Sequence, residues 1–146
     1  NDRYFRTDLG FLCYYDGTRW LTTETFDVSF RLISGIAATV EQYEALVNVG
    51  TDYKPYVLRW EQRANLGATN TGAAYWDLYL RSGGATTIYQ VTTSASGPSS
   101  SINLITSSGF TQPAATIQYF NISAVKNGAP TPIDTYGYVR YRYVVT

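Results

Sequence analysis

Ala74-Tyr75-Trp76-Asp77-Leu78-Tyr79-Leu80-Arg81 decides the fold class. Trp76, Leu78 and Leu80 point one way, and Tyr75, Asp77, Tyr79 and Arg81 point the other. A period of two residues is that of a strand with one buried face. Ser82-Gly83-Gly84 then turns the chain, and Thr86 to Thr93 returns. On the other side, Tyr56 to Asn65 is read as alternating, with Tyr56, Leu58 and Trp60 opposed to Val57, Arg59, Glu61 and Arg63, and Leu66 to Gly72 is read as a hairpin loop. These segments, from Tyr56 to Thr93, predict one three-stranded antiparallel sheet.

The same pattern extends outward. Phe26 to Ile33 alternates Phe26, Val28, Phe30 and Leu32 with Asp27, Ser29 and Arg31, and Ser34-Gly35 is expected to end it. Ile36 to Val49 has an apolar spacing compatible with a short helix at Val40, Tyr43 and Val47. Its β-branched Thr39 and Val40 and its strand-like neighbours favour strand. Asn48 to Pro55 reads as loop and Ser94 to Ser101 as a low-complexity loop within the domain. Ile102 to Ile105 and Thr116 to Val125 read as strands, and Asn127 to Pro132 as a turn. Tyr138 to Val145 sets Val139, Tyr141, Tyr143 and Val145 against Tyr138, Arg140, Arg142 and Val144. About eight short strands without a fixed repeat predict an all-β fold, an antiparallel β-sandwich that is jelly-roll-like rather than an up-and-down barrel.

Before this sandwich lies Asn1 to Leu21, in which Arg3 to Thr7, Phe11 to Tyr15 and Arg19 to Leu21 are separated by Asp8-Leu9-Gly10 and Asp16-Gly17-Thr18. Asp and Gly at these breaks supply turn chemistry, so the segment reads as a small β-meander. It is too small to be stable alone and must pack on the following domain or on another copy. The expected division is an N-terminal β-meander over residues 1–25 and a β-sandwich domain over residues 26–146.

Tyr4-Phe5-Arg6-Thr7-Asp8 with Tyr14-Tyr15-Asp16-Gly17-Thr18-Arg19-Trp20-Leu21 resembles a short module of tailed-bacteriophage fibre proteins. There it precedes a C-terminal globular domain. The resemblance spans roughly a seventh of the chain and implies a virion or appendage component, a homo-oligomer and, as in such fibres, a trimer.

Composition restricts the function. The 146 residues include 14 Tyr, 15% charged residues and no net charge. Nucleic-acid binding normally needs a basic surplus, so none is expected. No apolar run reaches the length of a membrane-spanning helix, and no membrane insertion is expected. Cys13 is the sole cysteine and lies in an aromatic run, which predicts a buried, inert thiol. With no Met even at position 1, the chain is expected to be a processed or partial product.

The absence of His removes Ser-His-Asp and Cys-His catalysis and nearly every zinc site. No Gly-rich phosphate loop or Asp-rich calcium loop occurs, so no cofactor and no metal are expected. Carboxylate chemistry of the glycosidase kind is left, with Glu41, Glu44, Glu61 and Asp77 as candidates and with Glu61 and Asp77 expected on neighbouring strands. Cross-strand charge pairing is the stronger reading of Asp77, and no catalytic residue is assigned.

Aromatic faces remain. Tyr75, Tyr79, Tyr138, Arg140 and Arg142 are expected on outward faces, where Tyr and Arg serve either a subunit interface or a sugar platform. Trp20, Trp60 and Trp76 are expected in the core. The loops Thr69 to Ala73 and Ser94 to Ser101 are the expected receptor contacts. Asn121-Ile122-Ser123 matches the N-glycosylation pattern but falls inside an expected strand, and is set aside.

The chain is therefore expected to be a non-enzymatic virion structural and adhesion protein. Its resemblance implies a bacteriophage fibre domain on the virion surface, with itself, other virion proteins and a host surface glycan or other receptor as the expected partners. A capsid-decorating protein and a carbohydrate-binding module are the alternatives.

Overall fold

The computed structural model describes residues 2–8, 10–36, 40–46, 53–66, 70–83, 86–93, 101–113 and 119–145. Eleven strands form there: β1 Arg3–Arg6, β2 Phe11–Tyr15, β3 Trp20–Thr22, β4 Phe26–Ile36, β5 Val40–Leu46, β6 Tyr53–Asn65, β7 Tyr75–Ser82, β8 Thr86–Thr92, β9 Ser101–Thr106, β10 Tyr119–Asn127 and β11 Ile133–Val145. Every pairing is antiparallel.

The eight strands of the main domain divide into two four-stranded layers. One runs β4-β11-β6-β9 and the other β5-β10-β7-β8. The chain thus alternates between layers from β4 to β7 and again from β8 to β11, which is the jelly-roll connectivity. The expected all-β sandwich is the observed fold, and β5 is strand rather than the alternative helix.

The meander β1-β2-β3 extends the first layer to seven strands. It joins through β3, whose Leu21 and Trp20 pair with Val144 and Val145 of β11. Phe11 then reaches Phe26, Tyr53 and Tyr143, with ring centroids 5.6, 6.2 and 5.8 Å away. Thr22 accepts the Tyr143 amide N–H at 3.2 Å and donates to the Glu24 carbonyl at 3.0 Å. The meander therefore packs on its own domain.

Between the layers lie Phe30, Val57, Trp60, Ile133, Val139, Tyr141 and Tyr143 from one sheet and Trp76, Leu78, Leu80, Ile88, Phe120, Ile122 and Ala124 from the other. Full burial of such side chains is worth about 1.5–3 kcal/mol each. Desolvation pushes the phenols of Tyr141 and Tyr143 upward from their ordinary value. Cys13 is buried, and burial pushes its thiol up as well. Trp20, expected in the core, is only half-buried: it lies on β3, in the meander, and packs edge-on against Tyr4 at 4.5 Å.

Four expectations are corrected by the strand pairing. Tyr56–Asn65 does not pair with Ala74–Arg81: β6 lies between β11 and β9, while β7 belongs to the other layer. Local alternation identifies strands but carries no information on which strands meet. The alternation within β6 also breaks, because Arg140 faces Arg59 while Tyr141 faces Val57, leaving Leu58 as the extra residue of a bulge. Val57 and Trp60, three residues apart, are consequently both buried. Ser34-Gly35 does not end its strand, for β4 continues to Ile36 with irregular register there. Tyr53 to Pro55, read as loop, opens β6. Pro55 is tolerated because β9 pairs only with Trp60–Asn65, so that among the described residues no strand pairs with the other edge of β6 at Pro55. Residues 48–52, the rest of that expected loop, lie outside the described residues.

Candidate functional site: the outer face of the seven-stranded sheet

β11 is the middle strand of the first layer and places Tyr136, Tyr138, Arg140 and Arg142 on its outer face. Alternation through Gly137 keeps all of them in one row, since residues two apart share a face. Gly137 itself points inward, where a side chain would meet the Glu61 carbonyl and the Gln62 carboxamide. The buried Gln62 occupies that space, donating to Thr135 Oγ1 and accepting the Trp60 indole N–H at 3.3 Å.

The flanking strands complete the face. Tyr138 stands between Glu61 of β6 and Ser29 of β4, and Arg140 between Arg59 and Asp27. The Tyr138 hydroxyl donates to Glu61 Oε1 at 2.7 Å, and Arg59 Nε donates to the same oxygen at 2.6 Å. The Tyr138 hydrogen bond, followed by that of Arg59, holds the Glu61 carboxyl below its ordinary range against partial desolvation. Arg140 donates twice to Asp27, at 2.8 Å to each oxygen. Guanidinium groups lie over rings along the face: Arg140 over Tyr138 at 5.9 Å, Arg142 over Tyr14 at 5.1 Å and Arg19 over Tyr56 at 4.6 Å. Such contacts stiffen both partners without closing the face to solvent.

Two clefts open on this face beside Tyr136. One, of about 310 Å³, is lined by Ser29, Phe30, Glu61, Arg63 and Tyr136 to Tyr138. The other, of about 330 Å³, is lined by Arg63, Asn65, Ser101, Asn103 and Tyr136. Arg63 and Tyr136 line both clefts, which therefore adjoin at this pair; together they make a two-part groove lined from β4, β11, β6 and β9. Tyr136 is 42% exposed. Arg63 spans the junction, donating at 3.4 Å to the Tyr136 hydroxyl and at 3.3 Å to Asn103 Oδ1.

Of the five residues singled out in the sequence, the structure therefore assembles Tyr138, Arg140 and Arg142 on one face. Tyr75 and Tyr79 lie on β7, on the outer face of the opposite layer, so the five do not form one surface. There Arg81 covers the Tyr79 ring at 4.5 Å, and Asn127 donates to Asp77 at 3.0 Å. Glu61 and Asp77 sit in different sheets, which corrects their expected placement on neighbouring strands. Glu41 and Glu44 lie on β5. Asn121 is fully buried in β10, out of reach of a glycosylating enzyme.

Sequence reading missed Tyr136, Arg63 and Asn103. Tyr136 was within reach, two residues before Tyr138 in the same alternation. Arg63 and Asn103 depend on the β6–β9 pairing, which places them opposite each other. Residues 69 and 94–100 of the expected recognition loops lie outside the described residues. Among the described residues, no cluster of three or more His, Cys, Asp or Glu has a metal-holding arrangement. No described helix is long and apolar enough to cross a membrane.

No protein-family model and no curated protein sequence matches the chain. A solved structure concerning Bacillus endospore appendages, described as a novel family of disulfide-linked pili, is similar at 14% identity over 92% of this chain and 96% of that chain, with a TM-score of 0.41. At that score no role is inferred from the likeness.

Proposed function

We propose that this jelly roll is a non-enzymatic structural and adhesion domain of an extracellular appendage, of the bacteriophage-fibre kind that its first 21 residues resemble. It self-associates, as a trimer, and presents its outer sheet face to a receptor on a host surface. The observation that carries this reading is the ladder of Tyr and Arg side chains on β11 and its neighbours, preorganised by ion pairs and cation–π contacts. Tyr and Arg are the residue types enriched where proteins recognise one another. The carboxylates of that face, Asp27 and Glu61, are committed to Arg140, Arg59 and Tyr138 rather than set facing each other for acid–base work.

Self-association has its own motif. Phe5 and Leu12 are opposite each other across the β1–β2 ladder and are 57% and 36% exposed. An exposed apolar pair on a small sheet extension is a contact suited to a second copy.

Light scattering on the purified chain at micromolar concentration tests the reading. A trimer that Phe5→Asp dissociates is the expected result. A monomer over the whole accessible concentration range would overturn the oligomeric part.

A further inference from the structure

We propose that the groove over Tyr136 and Arg63 is a saccharide site that takes a carboxylate-bearing pyranose, of the uronate type, within a longer glycan. The proposal deepens the adhesion reading by naming the receptor chemistry. It begins with the shape. The residues that line its two parts run from Ser29 on β4 to Asn103 on β9, a span of roughly three interstrand spacings, about 14 Å. That length suits an extended chain of sugars rather than a single ring.

Its lining supplies both halves of sugar recognition. Tyr136 offers an aromatic side chain that is partly open to solvent. Apolar C–H faces of a pyranose stack on such rings, while hydroxyls reach polar neighbours. Ser29, Asn65, Ser101 and Asn103 supply hydroxyl and carboxamide groups along the two walls. Tyr138 is locked against Glu61 and forms a fixed wall rather than an adaptable one.

Charge selects among sugars. Glu61 is bound by Arg59, and Asp27 by Arg140, so these charges are answered within the sheet. Arg63 is exposed, and its hydrogen bonds run to two neutral groups, Tyr136 and Asn103, at 3.4 and 3.3 Å. Neither contact is short, and Glu61, the carboxylate that also acts on Arg63 through space, is itself held by Arg59 and Tyr138. A planar guanidinium in that position matches a carboxylate with two parallel hydrogen bonds. The stacked ring would hold the sugar while Arg63 reads its acid group.

The test titrates the 146-residue chain, isotope-labelled, with tetragalacturonate and separately with uncharged maltotetraose, following backbone amide resonances. Tetragalacturonate is expected to move the resonances of Arg63, Asn103, Tyr136 and their neighbours. It should bind at least about tenfold more tightly than maltotetraose, the scale of one good charge-assisted contact. Arg63→Gln should abolish that preference while leaving the amide spectrum otherwise native. Tyr136→Ala should weaken both sugars.

Equal binding of the two sugars would overturn the carboxylate assignment. So would an absence of shifts at millimolar sugar, or shifts confined to the Tyr75–Tyr79 face. Concentration-dependent shifts of the groove in the absence of sugar would make it a self-interface and also overturn the proposal. Light scattering separates the two readings: a monomer that binds tetragalacturonate in the groove keeps the site and loses the trimer, and a trimer that ignores sugar does the reverse.

Discussion

Gln112 completes the edge of β6 by gripping Val57 from both sides. Its Oε1 accepts the Val57 amide N–H at 2.7 Å, and its Nε2 donates to the Val57 carbonyl at 2.9 Å. β9 pairs with β6 only over Trp60–Asn65, so a single carboxamide replaces a missing ladder step. The position matters because the bulge at Leu58 aims Val57 into the core, and the backbone groups of a buried residue need partners.

Gln112→Ala should therefore leave two backbone groups unpaired at a buried residue. The expected loss is about 1–3 kcal/mol in urea unfolding, with the slope of the transition unchanged. A loss under about 0.5 kcal/mol would mean that solvent reaches the edge and serves it equally well.

Gly137→Ala should be among the most damaging single-methyl additions in the chain. The new Cβ would fall against the Glu61 carbonyl and the Gln62 side chain, and backbone in a central strand cannot retreat. We expect a loss of about 2–4 kcal/mol, read as a lowered thermal midpoint. Gln62→Ala in the same background should recover only part of it, because the Glu61 carbonyl remains in the way. Full recovery would assign the whole clash to the side chain.

The Asp27–Arg140 pair predicts a small acid-dependent stabilisation. The paired hydrogen bonds of Arg140 hold the Asp27 carboxyl below its ordinary value, outweighing a partial desolvation that acts the other way. A carboxyl lowered by folding stabilises above its unfolded value of about 4 and loses that contribution as pH falls through the folded value. Both side chains are well exposed, at 44% and 42%, so the effect is modest and salt-sensitive. The urea midpoints of the native chain and of Asp27→Asn should differ at neutral pH and converge in acid. A gap that persists at the acid end of the titration would place the contribution in packing rather than in charge.

How far the site was legible follows from two kinds of information. Tyr138, Arg140 and Arg142 were readable because alternation along one strand is a property of the backbone pleat alone. Tyr75 and Tyr79 were rightly read as outward, yet outward on which sheet depends on pairing partners separated by long stretches of chain. Arg63 and Asn103 are 40 residues apart in sequence and adjacent in space, and no local pattern encodes that neighbourhood.

Sequence by itself determined the strand-rich class, the inward faces of β7 and β11, the turns of the meander and the buried Cys13. Each follows from residue size, polarity and backbone freedom within a few neighbours. The tertiary structure alone decided the jelly-roll pairing that sends β6 and β7 to opposite layers. It also decided the Leu58 bulge that re-aims Val57 and the groove shared by Tyr136 and Arg63. The physical reason is that strand order and register are set by the joint burial of two sheet faces, a free energy belonging to the assembled core and to no single strand.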